Sequence, residues 1–166
     1  MERRPAGSGA PAVPMAASDH IEFCDRSSLD QFQWPESRTS HRAFLETLLR
    51  TPTQSLIHNV RTDCGLVRVG SEIMPVTVNE TDYENSWVCS PYNASITYPL
   101  DELREIQSRP LRLTLAGMIR SMSPLLKAAS INRVVTINNW LLSTNLYPKW
   151  DGSDLETLTT TCITRW

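Results

Sequence analysis

The side chains best suited to bind or protonate a small molecule are concentrated in residues 131–150, INRVVTINNWLLSTNLYPKW. The β-branched run Val134–Ile137 has the pattern of a strand buried on both faces. It passes directly into Asn138, Asn139, Trp140, Ser143, Thr144, Asn145 and Tyr147. Buried strands that deliver amides, hydroxyls and rings to one end are how α/β folds line a ligand crevice. Asn138, Asn139, Ser143, Thr144 and Asn145 are therefore the candidate substrate-binding residues, able to hydrogen-bond an amide or a carboxylate. The competing assignment is that these short polar side chains satisfy backbone groups in a turn. Trp140, Leu141 and Leu142 read as core rather than ligand platform. Tyr147 precedes Pro148, which biases its backbone toward extended conformations.

Other reactive groups give weaker signals. Cys89-Ser90-Pro91-Tyr92 suggests a thiol nucleophile, but such a thiol needs a base or a helix N-terminus to lower its pKa. His58 is the one histidine on an expected strand that can serve as that base. Asp101, Glu102 and Glu105 can be read as a carboxylate cluster, although acids at a helix start are explained by the helix dipole alone. Cys24, Cys64, Cys89 and Cys162 form no CxxC pair, and His20, His41 and His58 share no ligand spacing with them. No metal site is expected from such a set. Asn79-Glu80-Thr81 and Asn93-Ala94-Ser95 fit the glycosylation sequon, which matters only in a secreted protein.

These residues sit in a chain of 166 residues with 40% hydrophobic content and a formal charge of −2. That is enough apolar material for one domain. The mild acidity and the scattered arginines argue against a nucleic-acid partner. No apolar run is long enough to span a bilayer, and Pro, Gly and Ser interrupt the N-terminus where a signal peptide would need a continuous apolar stretch. The expectation is a cytoplasmic protein with no membrane partner and unpaired thiols. Its oligomeric state is left open.

Residues 1–19 read as a disordered tail, and residues 20–166 as a single domain opening on a loosely packed entry segment over 20–37. Phe44, Leu45, Leu48 and Leu49 predict a helix over 37–50, ended by Pro52. Strands are expected at 55–60, 65–69 and 72–78, the last two joined by a type II′ turn at Gly70-Ser71. Pro75 marks the third as an edge or bulged strand. Further strands are expected at 87–90 and 96–98, and a helix entry at Pro99. From Pro110, Leu111, Leu115, Met118, Ile119, Met122, Leu125, Leu126 and Ala129 form a stripe fit to pack on a sheet, which Pro124 should divide into two helices. Ser153-x-x-Glu156 matches a capping box for a last helix that runs into Trp166. The reading favours an incomplete domain over a docked terminal helix. The fold class is α/β (α+β), a mixed, mostly antiparallel sheet flanked by helices.

The strings ITYPLDEL, PLLKAASINRVVTINNWLLSTNLYP and the Asp154-Leu155-x-x-Leu158 helix resemble a group of bacterial proteins in the acyl-CoA N-acyltransferase (GNAT-like) superfamily. The resemblance runs from about residue 74 onward and implies that this chain is an N-terminal portion of such a protein. It also implies acyl transfer from an acyl-CoA co-substrate to an amine, with no tightly bound cofactor. Tyr147 would then be the catalytic proton donor to the leaving thiolate. Ordinary N-acetyltransferases hold the pyrophosphate on an Arg/Gln-x-x-Gly-x-Gly/Ala loop at a helix start. This sequence lacks that string: Gly65 stands one position late after Arg61, and Gly117 after Arg112 lies inside an expected helix. A non-catalytic binding or interaction module, or a fragment without activity, is the alternative.

Overall fold

A computed structural model describes residues 21–35, 39–142 and 145–166. The expected tail over 1–19 therefore lies outside the described residues. Four strands form one sheet in the order β1 (Ile21–Cys24), β2 (Asp63–Val69), β3 (Glu72–Asn79), β4 (Val134–Ile137), every neighbouring pair antiparallel. Helix α1 (Thr39–Arg50) covers one face and α5 (Leu155–Arg165) the other. Between β3 and β4 the chain leaves the sheet for a helical excursion. It contains a π-turn at Asn93–Thr97, α3 (Tyr98–Glu102) and the long α4 (Arg109–Ala128). The class is α+β. Among the described residues no helix is long and apolar enough to cross a membrane.

Period-two alternation builds both cores from the same strands. Cys24, Leu66 and Ile73 point toward α1 and pack with Leu45, Leu48 and Leu49. Val67, Val69, Met74 and Val76 point the other way, onto Leu158 and Cys162 of α5. The β2–β3 hairpin turns at Gly70, whose φ of +59° is the left-handed value a type II′ turn needs at that position.

Several expectations fail for identifiable reasons. The entry segment is not loose: Ile21–Cys24 pairs with Leu66–Val69, and Glu22 meets its register partner Arg68 in an ion pair of 2.5 Å. Four residues are too short for their alternation to stand out from flanking loop. That strand takes the edge of β2 nearest in the sheet order, and residues 55–60 do not join the sheet. They form instead the short α2 (Thr53–Leu56) and a turn. The strands expected at 87–90 and 96–98 are a turn and a helix. Ser90 accepts the amide of Asn93 on its hydroxyl at 3.0 Å and that of Ala94 on its carbonyl at 2.9 Å. With Pro91 next in line, this is an N-cap followed by an N1 proline. Ser153-x-x-Glu156 likewise does not act as a capping box: α5 is capped by Asp154, without a side-chain bond.

Pro75 sits in a central strand, between β2 and β4. Its carbonyl accepts the Asn139 amide at 3.1 Å, so its backbone faces β4. The ladder with β4 ends one residue earlier, at Val76–Ile137. The missing proline N–H thus points where no strand partner stands. Strand β4 itself is an edge strand, half-buried at all four positions, not one buried on both faces.

Helix α4 runs unbroken through Pro124. The helix is tied down from the side on both flanks of the proline: Ser123 shares a 2.7 Å hydrogen bond with the Tyr92 hydroxyl, and the Lys127 ammonium lies 5.2 Å from the ring centres of Tyr83 and Tyr92. Nor does α4 pack on the sheet. Its neighbours are the helical turns of residues 93–105, and Ala116 is its one buried residue.

Five asparagines, Asn79, Asn85, Asn93, Asn132 and Asn139, are buried. Four of them stitch the excursion to the sheet. Asn132, fully buried, accepts from Ser90 Oγ at 3.0 Å and from the Tyr92 amide at 2.9 Å, and donates to the Asp82 carbonyl at 2.7 Å. Asn79 Nδ2 donates to the Asn132 carbonyl at 3.1 Å, and Asn85 Nδ2 donates to Asn79 Oδ1 at 3.0 Å. Asn93 Nδ2 donates to the carbonyls of Tyr83 and Asn85. Both sequon asparagines, Asn79 and Asn93, are consumed by this network.

Two stability measurements follow. Asn132→Ala strands three partners on two segments at once, and urea melts should show a loss of about 3 kcal/mol or more. The same change at exposed Asn59 should cost less than about 0.5 kcal/mol. Helix α4 ends in a Schellman turn, with the amide of Ile131 bonded to Leu126 and that of Ser130 to Lys127. Ser130 there has φ +50°, a conformation that costs any L-residue. Ser130→Gly should therefore raise stability by about 0.5–1 kcal/mol in the same assay.

Candidate functional site

After β4 the chain makes a tight loop with two non-glycine residues in the left-handed region, Asn138 at φ +61° and Leu141 at φ +59°. Asparagine tolerates that conformation; a buried leucine is forced into it. What forces it is the Asn139 side chain. Its Oδ1 accepts the Leu141 amide at 3.1 Å, while its Nδ2 donates to Thr77 Oγ1 at 2.9 Å and to the Val88 carbonyl at 2.8 Å. Asn138 closes the loop from outside. Its Nδ2 donates to the Leu146 carbonyl at 2.7 Å, and its Oδ1 accepts from Trp140 Nε1 at 2.8 Å. Asn145 Oδ1 accepts the Trp140 amide at 3.1 Å.

The candidate binding residues therefore divide. Asn138, Asn139 and Asn145 hold the loop in shape, and Asn139 is buried away from any cleft. Ser143 and Thr144 lie outside the described residues. Tyr147 is 94% exposed, its ring standing at the lip of a cleft rather than inside it. Trp140 and Leu141 are core residues, as their type suggests, whereas Leu142 is half exposed.

The loop builds a cleft of about 200 Å³. Its walls are Trp34, His41, Leu45, Glu72, Ile73, Asn138, Trp140, Leu146, Tyr147 and Pro148. Trp140 is fixed on two sides, by the edge of His41 at 5.4 Å and by a stacked Phe44 at 6.0 Å between ring centres. Trp34 is set by Phe32 at 5.2 Å and carries the Arg42 guanidinium over its ring at 5.3 Å. Glu72 opens β3 and is buried, with its Oε2 accepting the Lys149 amide at 3.3 Å. A buried acidic side chain beside indole rings is the composition of a site for a small organic cation. Trp34, His41 and Glu72 were not singled out in the sequence. His41 shares a helical face with Leu45 and was readable as core-facing; Trp34 and Glu72 carry no local signal and reach the cleft only through tertiary packing.

A wider, more open cleft of about 590 Å³ lies between the 48–54 turn and the ends of β2 and β3, with Arg26, Arg61, Asp63, Cys64 and Glu80 among its walls. Burial pushes its thiol, Cys64, up to about 12, away from the thiolate form that attacks. Burial also pushes Cys89 up to about 11, and its partner is the Asn139 amide at 3.8 Å. His58, the base considered for Cys89, is exposed. Among the acids at 101–105, Asp101 pairs with Arg104 at 2.9 Å, one helical turn away.

Set beside known protein families, curated proteins and solved structures, the chain matches none.

The loop clamp can be weighed directly. Asn138→Ala removes both side-chain bonds and leaves at positive φ a residue that tolerates it less well than asparagine, a cost of about 2–3 kcal/mol. Asn138→Gly keeps the backbone free and should cost roughly 1 kcal/mol less than alanine. Thermal melts give the ranking, and a red shift of tryptophan emission in both variants reports the release of Trp140.

Proposed function

We propose that this protein is a small-molecule-binding module that takes an organic amine by its cationic head into the cleft lined by Trp34 and Trp140, with Tyr147 at its lip. The observation that carries the reading is the pairing of a buried carboxylate, Glu72, with aromatic walls around a cavity of about 200 Å³. That volume suits an ammonium group with a few methyl or methylene carbons and not a whole nucleotide. Cation–π attraction to the rings and the nearby negative charge supply the selectivity. The rigid loop keeps the walls in place before the ligand arrives, which lowers the entropic cost of binding.

Acyl transfer to that same amine, in a GNAT-like protein of which this chain is an N-terminal portion, is the second reading. What favours it is Tyr147 at the lip, where its hydroxyl is free to protonate a thiolate leaving from the open side. An acyl-CoA would be the co-substrate, approaching from solvent. Both readings go with a cytoplasmic setting, in which the four cysteines remain the free thiols seen here.

Calorimetric titration with tetramethylammonium, choline and butylamine separates the outcomes. Binding by one of these cations, weakened at least about tenfold in Trp34→Ala and in Glu72→Gln, supports the module. Thermal stabilisation by acetyl-CoA, with thiol release when an amine is added and its loss in Tyr147→Phe, supports the transferase instead. No heat with any cation and no shift with acetyl-CoA overturns both.

A further inference from the structure

Helix α4 carries its apolar residues on the wrong side for its own domain. Leu111, Leu115, Met118, Met122, Leu125 and Ala129 recur at alternating spacings of four and three, the seam of a helix that packs lengthwise on another. Yet Leu111 is 50% exposed, Met118 62%, Met122 48% and Leu125 70%. The charges are segregated just as sharply. Arg109, Arg112, Arg120 and Lys127 are the only charged residues of the helix, and at 3.6 residues per turn all four fall on the side away from the seam. The half of α4 centred on the seam bears no charge at all. Helices apolar over so wide an arc are normally covered.

We propose that a second copy of this chain covers it, with α4 packed against α4 in antiparallel orientation about a two-fold axis at residue 120. Three observations select this occupant. The alternating spacing asks for a helix of the same kind. The seam presents no charge, so two identical copies meet without like-charge repulsion, their cations splayed to the outside. An acidic partner would find nothing on the seam to neutralise. Finally, one antiparallel register engages the whole length of the seam: Leu111 faces Ala129, Leu115 faces Leu125, and Met118 faces Met122, whereas a shift by a heptad leaves one end unpaired. This is the isologous contact that a two-fold dimer requires. Thr114, Gly117 and Ser121 line one flank, and space around the Gly117 Cα is open, so the two backbones can approach closely. A 20-residue helix is about 30 Å long, and two such faces bury on the order of 1,000 Å² in total. That lies at the low end for a specific interface, and a reversible dimer with a micromolar Kd is expected.

Sedimentation equilibrium of the full chain from about 1 to about 100 μM tests this. The wild type should show a monomer–dimer equilibrium. Met118→Glu and Met122→Lys, at exposed positions where the fold and its melting temperature are retained, should each raise the dimer Kd at least about 30-fold. Mixing the two variants should restore association, because antiparallel packing sets the carboxylate introduced at position 118 of one copy against the ammonium introduced at position 122 of the other. Ile163→Glu, on the exposed side of α5, should leave Kd unchanged. A wild type that is monomeric throughout overturns the proposal, as does a dimer indifferent to Met118→Glu. Variants that weaken association alone but do not rescue each other overturn the antiparallel register. A monomeric wild type that co-floats with phosphatidylserine vesicles would assign the face to a lipid surface instead.

Discussion

Buried asparagines hold this protein together where its sheet does not. More than fifty residues separate β3 from β4, and the chain in between has no strand of its own to anchor it. A backbone that leaves a sheet for that distance must find partners for its buried N–H and C=O groups. Asn79 at the end of β3, Asn132 at the entry to β4, and Asn85 and Asn93 in the excursion supply them from side-chain amides, each offering both donors and an acceptor. Within a dry interior such a network is strongly favourable when complete and costly when any member is missing. The placement of β4, and of everything after it, depends on that closure.

The fifth asparagine extends the same logic to the cleft. Asn139 joins the end of β4 to β3 through Thr77 and to the excursion through the Val88 carbonyl. By holding Leu141 in a left-handed conformation it turns the chain back so that Trp140 faces α1. Residues that look like ligand-binding amides in the sequence are thus the scaffold of the cleft. Its chemistry comes from groups contributed by distant segments: Trp34 before α1, His41 within it, and Glu72 at the head of β3. Polar density along the chain marked where the site is built without marking what lines it.

The two apolar helices show how burial depends on position rather than on pattern. Helix α5 has a modest stripe interrupted by threonines, yet Leu158 and Cys162 are buried against the sheet. Helix α4 has the wider stripe and turns it to solvent, because its other side is committed to the helical turns at 93–105. An amphipathic stripe predicts that something will cover it. Whether that is the chain's own sheet or another surface is decided by where the helix is attached.

By itself the sequence determined the local elements whose signals are dense. Leu45, Leu48 and Leu49 fix α1 and Pro52 ends it; Gly70 fixes the β2–β3 hairpin; the β-branched run fixes β4. The helix after Ser90 was also encoded, in a serine N-cap followed by Pro91, but the Trp87 and Ile96 side chains masked it with a strand-like composition. Tertiary structure alone decided strand order, and with it most of what the sequence left wrong. β1, some forty residues earlier in the chain, pairs with β2, whereas residues 55–60 stay outside the sheet. Pro75 is tolerated in a central strand because β4 departs opposite its nitrogen. The pairing partner of a strand and the side of a helix that is covered are set by contacts between residues far apart in the chain, and no periodicity within a single segment records them.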